Sequence, residues 1–193
     1  MNTAAAADTL SPTDHRRRLL DAMAHAVASK GYAAVTIADL AAEARVSKRS
    51  FYEHFADKAA CLVALYEAAS RQSLDVLRQA IDPQRDWHQQ LEQALTAYFG
   101  TLACNPPLLR TLFVDIIALG PTGLAARRAN AQRLADFIVQ VAGPELPPEL
   151  AVALVGGIHE WVLQAVEQER VAQLPELVGP AAQLVRAVVD HPH

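Results

Sequence analysis

Tyr52 lies four positions after Lys48 and three after Arg49, with His54 two residues further on and Ser47 immediately before the set. Lysine and arginine supply charge to phosphate oxygens and donors to guanine edges. A tyrosine hydroxyl or an imidazole can hydrogen-bond phosphate, or pack its ring on sugar or a thymine methyl. Side by side on one helix these residues have the chemistry of a surface that reads a DNA groove. The bland alternative is an ordinary solvated helix face.

Their usefulness depends on what holds them outward. Ser47 is a good N-cap for a helix over Lys48 to His54, and Phe51 and Phe55, four apart, can bury together with Val46, which turns Lys48, Arg49 and Tyr52 to solvent. Upstream, Thr36 and Asp39 form an acidic capping box that starts another short helix, in which Ile37, Leu40, Ala41 and Ala44 recur at helical spacing. Two short helices separated by about three residues make a helix-turn-helix arrangement. A helix N-terminus approaching the duplex adds its own positive dipole end.

This window resembles the TetR-type (TetR/AcrR-like) transcriptional regulators. Their second and third helices follow a pattern like T-x-x-x-I-A-x-x-A-G-V-S-x-x-x-x-Y-x-H-F-x-x-K. The chain supplies Thr36, Ala41, Ala44, Val46, Ser47, Tyr52, His54, Phe55 and Lys58 at matching positions, with Leu40 for the isoleucine. The resemblance implies that Lys48, Arg49 and Tyr52 meet bases or phosphates, that His54 meets phosphate, and that Lys58 clamps the backbone. Thr36, Arg45 and Ser47 complete the expected DNA-binding set. Arg45 stands where the family carries glycine, and a side chain in a left-handed turn costs roughly 1 kcal/mol. Either the turn is reshaped or Arg45 recovers that cost through a phosphate contact.

The 193 residues are 52% hydrophobic and 20% charged, ample for a buried core, and alanine and leucine dominate without long β-branched alternations. The expected class is therefore all-α, with an N-terminal three-helix DNA-binding domain and a C-terminal helical ligand-binding and dimerisation domain. The boundaries read as a disordered arm over 1–13, the helix-turn-helix domain over 14–57 and the second domain over 58–193. A net charge of −4 argues at first against a nucleic-acid binder. However, residues 1–68 hold 8 Lys+Arg against 8 Asp+Glu, and 69–193 hold 9 against 13, so the whole deficit lies in the C-terminal part. A small, salt-sensitive footprint follows. Two cysteines, Cys61 and Cys104, make no disulfide framework. With neither a signal peptide nor an apolar run of about 18 residues, the expected location is cytoplasmic, without a membrane partner.

In chain order, Arg16 to Arg18 open a first helix that ends at Gly31, and one of these arginines is a candidate phosphate contact. Asp57 caps a long helix from Lys58 to about Ile81, the natural lever between domains. Helices follow over about 85–103, 108–119, 122–141, 149–174 and 175–189, separated by proline and glycine breaks at Pro83, Pro106, Gly120, Pro144 and Pro147. Aromatics concentrated in the second domain give candidate pocket residues for a largely apolar small-molecule effector: Trp87, Tyr98, Phe99, Phe113, Phe137 and Trp161, with Leu91, Ile117 and His159. Each is individually more often plain core. Glu160 or Asp115 beside aromatics would suit a cationic guest. The last two helices read as half of a four-helix bundle completed by a second copy, through Leu154, Gly157, Ile158 and Trp161 on one, and Leu177, Ala181, Leu184, Val185 and Val188 on the other.

No nucleophile and base spacing, phosphate-binding loop or dinucleotide motif is present, and the seven histidines show no i, i+4 pair, so no catalytic residue, metal site or cofactor is expected. The expected function is a homodimeric, ligand-responsive regulator of double-stranded operator DNA, a repressor released by a small molecule. The competing reading is an all-helical small-molecule carrier or enzyme without sequence-specific DNA binding.

Overall fold

The computed structural model describes residues 12–82, 84, 86–143 and 145–190. The expected N-terminal arm lies outside the described residues as far as residue 11, as do Pro83, Arg85 and Pro144. The described residues contain helices and no strand. The chain divides into two compact units between Leu65 and Tyr66, whereas the sequence puts the domain boundary at the start of the helix that spans that point.

The first unit holds α1 (Pro12–Ala34), α2 (Ile37–Glu43), α3 (Lys48–His54) and the first two turns of α4 (Lys58–Ala80). Pro12 and Thr13, expected in the arm, already belong to α1. Within α1, Gly31 has φ 74 and ψ 153, a conformation that breaks the helix where the sequence expects its C-cap. Leu19, Met23, Leu40, Phe51 and Leu62 are buried to within 0% exposure and bind the helices into one core. Two polar ties fix α2 on α1: Lys30 Nζ donates to Asp39 Oδ2 at 2.7 Å, and His25 Nδ1 meets Glu43 Oε1 at 2.8 Å.

The second unit contains the rest of α4, α5 (Trp87–Ala103), a composite α6, α7 (Pro121–Ala142), α8 (Pro148–Glu167), a 3₁₀ segment (Val171–Leu177) and α9 (Val178–Val189). The helix expected over 108–119 is not uniform. It runs as α-helix over Pro106–Arg110, as π-helix over Thr111–Asp115 and again as α-helix over Ile116–Ala118. Such bulges recur at functional sites. The helix expected from Glu149 to Leu174 stops at Glu167, because Glu169 adopts φ 56 and turns the chain into the 3₁₀ segment. A buried cluster of Leu74, Leu134, Ala135, Leu146, Ala151 and Val155 joins α4, α7 and α8. Against the expectation of no such run, α8 is long and apolar enough by length and composition to cross a membrane. Ala151, Leu154, Val155, Ile158 and Val162 along it are buried in this unit's core.

Candidate nucleic-acid interface and ligand cavity

The reading helix is built as its sequence dictates. Thr36 accepts from the Asp39 amide at 3.2 Å while Asp39 accepts from the Thr36 amide at 2.8 Å, so both halves of the capping box are closed. Lys30 above all, then the Thr36 hydroxyl and amide, hold the Asp39 carboxyl far below the usual carboxylate range. Ser47 Oγ accepts from the Ser50 amide at 3.0 Å and starts α3. Between the helices Arg45 has φ 52, so the turn keeps its left-handed shape despite the missing glycine. The Arg18 guanidinium donates to its carbonyl at 3.2 Å.

Phe51 (0%) and Phe55 (5%) are buried with ring centroids 5.7 Å apart, and the Arg16 guanidinium lies 5.4 Å from the Phe55 centroid. This anchoring leaves Tyr52 57% exposed, with Lys48 and Arg49 exposed beside it. Arg49 makes one exposed pair with Glu53 at 3.3 Å. A surface pair of that kind is worth at most about 1 kcal/mol and is readily exchanged for a phosphate. Lys48 has no ion-pair partner among the described residues. His54 is half-buried at the helix end, edge-on to His15 at 6.4 Å.

Two residues of the expected DNA set are used inside the domain. Lys58 Nζ donates to the carbonyls of Tyr32 at 3.0 Å and Val35 at 2.9 Å and lies 4.3 Å from the Tyr32 ring centroid. It satisfies backbone freed by the break at Gly31, which leaves one ammonium proton for anything else. The Thr36 hydroxyl is spent on Asp39, to which it also donates at 2.7 Å. Both are tied to groups of their own domain. Arg45 and Ser47 are exposed at the turn.

In the second unit an almost wholly apolar cavity of about 80 Å³ lies among α4, α5, α7, α8 and α9. Of the expected pocket residues, Trp87, Leu91, Tyr98, Phe137 and His159 line it. Leu77, Leu134, Ile138, Val141, Val155 and Val185 join them. These aliphatic residues carried no sequence signal separating pocket from core. A smaller chamber of about 40 Å³ is lined by Phe113, Tyr66, Ser70, Ser73 and Asn130, and it shares Tyr98, Leu134 and His159 with the first.

Three expected pocket residues fall elsewhere. Phe99 is fully buried in packing and lines neither cavity, Ile117 is 38% exposed on the surface, and Trp161 borders a separate hollow with Gln164, Arg170 and Leu177. Glu160 is exposed and Asp115 half-buried, and neither lines either cavity, so the expected site for a cationic guest is not assembled.

Tyr98 Oη and His159 Nε2 are 3.2 Å apart, and the Phe113 ring stands edge-on to His159 at 5.5 Å. Burial, with the Arg127 charge adding, brings the His159 pKa down to about 4, so the imidazole is neutral near pH 7. Burial likewise raises Tyr98 and Tyr66. In the first unit, burial pushes the Cys61 thiol up to about 12, so it stays protonated at neutral pH.

Four of the expected dimer contacts are core of the protomer itself: Leu154 (3%), Ile158 (7%), Ala181 (0%) and Val185 (4%). Their side chains are consumed in packing α8 and α9 within the unit. Gly157 faces Leu184 across the same seam, where an added Cβ would sit 3.7 Å from Leu184 Cδ2. Trp161, Leu177 and Val188 are half-buried. The exposed side of this helix pair is instead Val152, Ala153, Gly156 and Glu160 on α8, with Gly179, Pro180, Gln183 and Ala187 on α9.

Residues 19–65, spanning the stretch from within α1 to the start of α4, match the pattern of the tetR family of bacterial regulatory proteins. The match is to that family's N-terminal domain, and it covers the two short helices and the parts of α1 and α4 that flank them. It is 28% identical over 105 residues to the nucleoid occlusion factor SlmA of Marinomonas sp. (strain MWYL1), covering 54% of this chain and 53% of that one. It is 27% identical over 128 residues to the transcriptional activator FasR of Mycolicibacterium smegmatis (strain ATCC 700084 / mc(2)155), covering 66% of this chain and 58% of that one. The chain thus spans a little over half the length of these curated relatives. The transcriptional regulator FadR from Bacillus subtilis, solved in complex with stearoyl-CoA, superposes with a TM-score of 0.68 at 18% identity. That match covers 88% of this chain and 96% of FadR, and establishes a common fold.

Proposed function

We propose that this protein is a tetR-type, ligand-responsive transcriptional regulator that binds operator DNA as a homodimer through α3 and is released by a small, largely apolar effector, acting as a repressor. The observation that carries the reading is the exposure of Lys48, Arg49 and Tyr52 as one surface above buried Phe51 and Phe55. Each subunit offers that surface to a major groove, with half-sites one or more full turns apart. The site of action is the cytoplasm, where the chromosome is.

The apolar cavity supports the second half of the proposal. At about 80 Å³ it exceeds the roughly 10–15 Å³ that one water needs, and its lining offers little to hold water. Such a space favours an apolar occupant, and the fold it shares with a stearoyl-CoA-binding regulator is consistent with that chemistry. α4 starts in the unit that carries the reading helix and continues through Leu77 at the cavity wall. An occupant that prefers one setting of α4 shifts the population of DNA-competent dimers, and a useful effector must favour the released state by a few kcal/mol.

A gel shift with the DNA flanking the protein's own coding region tests the reading, with Tyr52→Ala and Lys48→Ala as controls. The wild type should give a specific, salt-sensitive complex, and each variant should lose at least tenfold in affinity while remaining dimeric. Full affinity in both variants rejects the assigned surface. Weak, sequence-independent retardation of the wild type favours a carrier instead.

A further inference from the structure

The two chambers of the second unit differ in kind. The larger is lined by hydrocarbon and aromatic groups, whereas the smaller adds Tyr66, Ser70, Ser73 and Asn130 to an apolar lining of Ala69, Leu102, Leu109, Leu112 and Phe113, and Tyr98, Leu134 and His159 border both. Two arginines of α7 stand behind the smaller chamber's lining, close enough for their charges to act on Tyr66. The Arg127 guanidinium donates to the Phe113 carbonyl at 3.2 Å and lies 5.8 Å from the Phe113 ring centroid, which holds its charge beside a residue lining the chamber. Arg133, one turn beyond Asn130, keeps Nη2 buried without a hydrogen-bond partner. A buried guanidinium nitrogen without an acceptor is costly, and an anion is the partner that would satisfy it.

We infer that this pair of chambers binds an apolar carboxylate, with its tail in the larger cavity and its carboxylate in the smaller one, facing Tyr66, Asn130 and the Arg127 and Arg133 charges. The inference deepens the proposed effector site and rests on that reading. The electrostatics agree: both arginines act on the Tyr66 hydroxyl in the direction that stabilises negative charge, and Arg127 opposes protonation of His159. A neutral His159 adds a hydrogen-bonding group without adding charge. The carboxylate belongs at the inner end because, among the described residues, the open cleft bordering the larger cavity, which shares Ile81, Trp87, Phe137 and Val141 with it, is lined by a single cation, Arg78. That cation is already paired with Asp75 at 3.3 Å.

Isothermal titration with decanoate, decanol and decyltrimethylammonium, each below its micellar concentration, reads the headgroup preference without DNA. Decanoate should bind at least tenfold more tightly than either of the others. Arg133→Gln and Arg127→Gln should each erase most of that preference while leaving decanol affinity within twofold, and Arg78→Gln should leave the preference intact. Equal or tighter binding of decanol or the ammonium overturns the inference, as does loss of the preference in Arg78→Gln but not in Arg133→Gln, or no binding of any of the three probes. The wild-type comparison stands even if an arginine variant fails to fold. Release of operator DNA by decanoate is measured separately: tight binding without release leaves the carboxylate site standing and removes its regulatory role.

Discussion

At the scale of single residues the protein places charges where their neighbours decide their state. His159 shows this most directly. Its folded pKa of about 4 lies below the ordinary 6.5, so the unfolded chain binds the proton more readily between those values. Stability is therefore full above about pH 6.5 and falls as the pH drops toward 4, by at most about 3 kcal/mol at 1.36 kcal/mol per unit. Asp39 titrates lower, and its contribution is lost only as the pH falls below the unfolded carboxylate range, so the two windows separate. Urea unfolding at pH 7.5 and 5.0 should show wild type losing stability across that interval, and His159→Gln losing less by about 1–2 kcal/mol. Equal slopes would mean that His159 charges without resistance. Arg45 offers a second test. Its φ of 52 is one that glycine adopts freely, and the Arg18 bond goes to the backbone carbonyl, which survives substitution. Arg45→Gly should raise stability by about 0.5–1 kcal/mol in the same assay. It should also weaken operator binding if the exposed side chain meets phosphate.

At the scale of elements, the caps were the most legible part of the chain. Thr36 with Asp39, and Ser47 before an aromatic pair, define both short helices in sequence because the hydrogen bonds they make are local, and the structure closes each of them. Gly31 was legible for the same reason. The π turn over Thr111–Asp115 was not, because nothing in a run of apolar residues announces an extra residue per turn, nor was the break at Glu169, a residue with no intrinsic preference for positive φ. Cavity lining was legible only for the aromatics. Leu134, Val155 and Val185 become walls through packing among distant helices, and no spacing along one helix marks that. Where α6 meets α7, one glycine is fixed by contact rather than by conformation. A Cβ on Gly123 would sit 1.8 Å from the Ile116 carbonyl oxygen, a backbone atom of the segment that follows the π turn. Gly123→Ala must push the two segments apart, and the expected cost is about 3 kcal/mol. Thermal unfolding followed by circular dichroism would expose the error if the variant melted with the wild type.

At the scale of the whole molecule, the proposed homodimer would need a second copy to present two reading surfaces, and the packing of α8 and α9 limits where on this helix pair it could attach. Leu154, Ile158, Ala181 and Val185 hold the two helices to their own protomer, so charge placed at any of them would unfold the unit before it separated a dimer. Leu184 is half-buried beside Gly157 of its own protomer, so a charge there would disturb both the unit and any interface. The surface left over carries mostly small or short side chains, Val152, Ala153 and Gly156 beside Gly179, Pro180 and Ala187, with Glu160 and Gln183 among them, and would permit close approach of helices from a partner. Gly156 is the discriminating position, because a Cβ there meets nothing within 4 Å in its own protomer. Gly156→Glu should therefore fold normally by circular dichroism and melt no lower than wild type. A carboxylate buried without a partner at a twofold interface is strongly destabilising to that interface. Sedimentation should then show monomers at concentrations where wild type is dimeric, and operator affinity should fall at least tenfold because the two reading helices no longer bind as one unit. A Gly156→Glu protein that stayed dimeric and kept its operator affinity would move the interface off this face of α8 and α9.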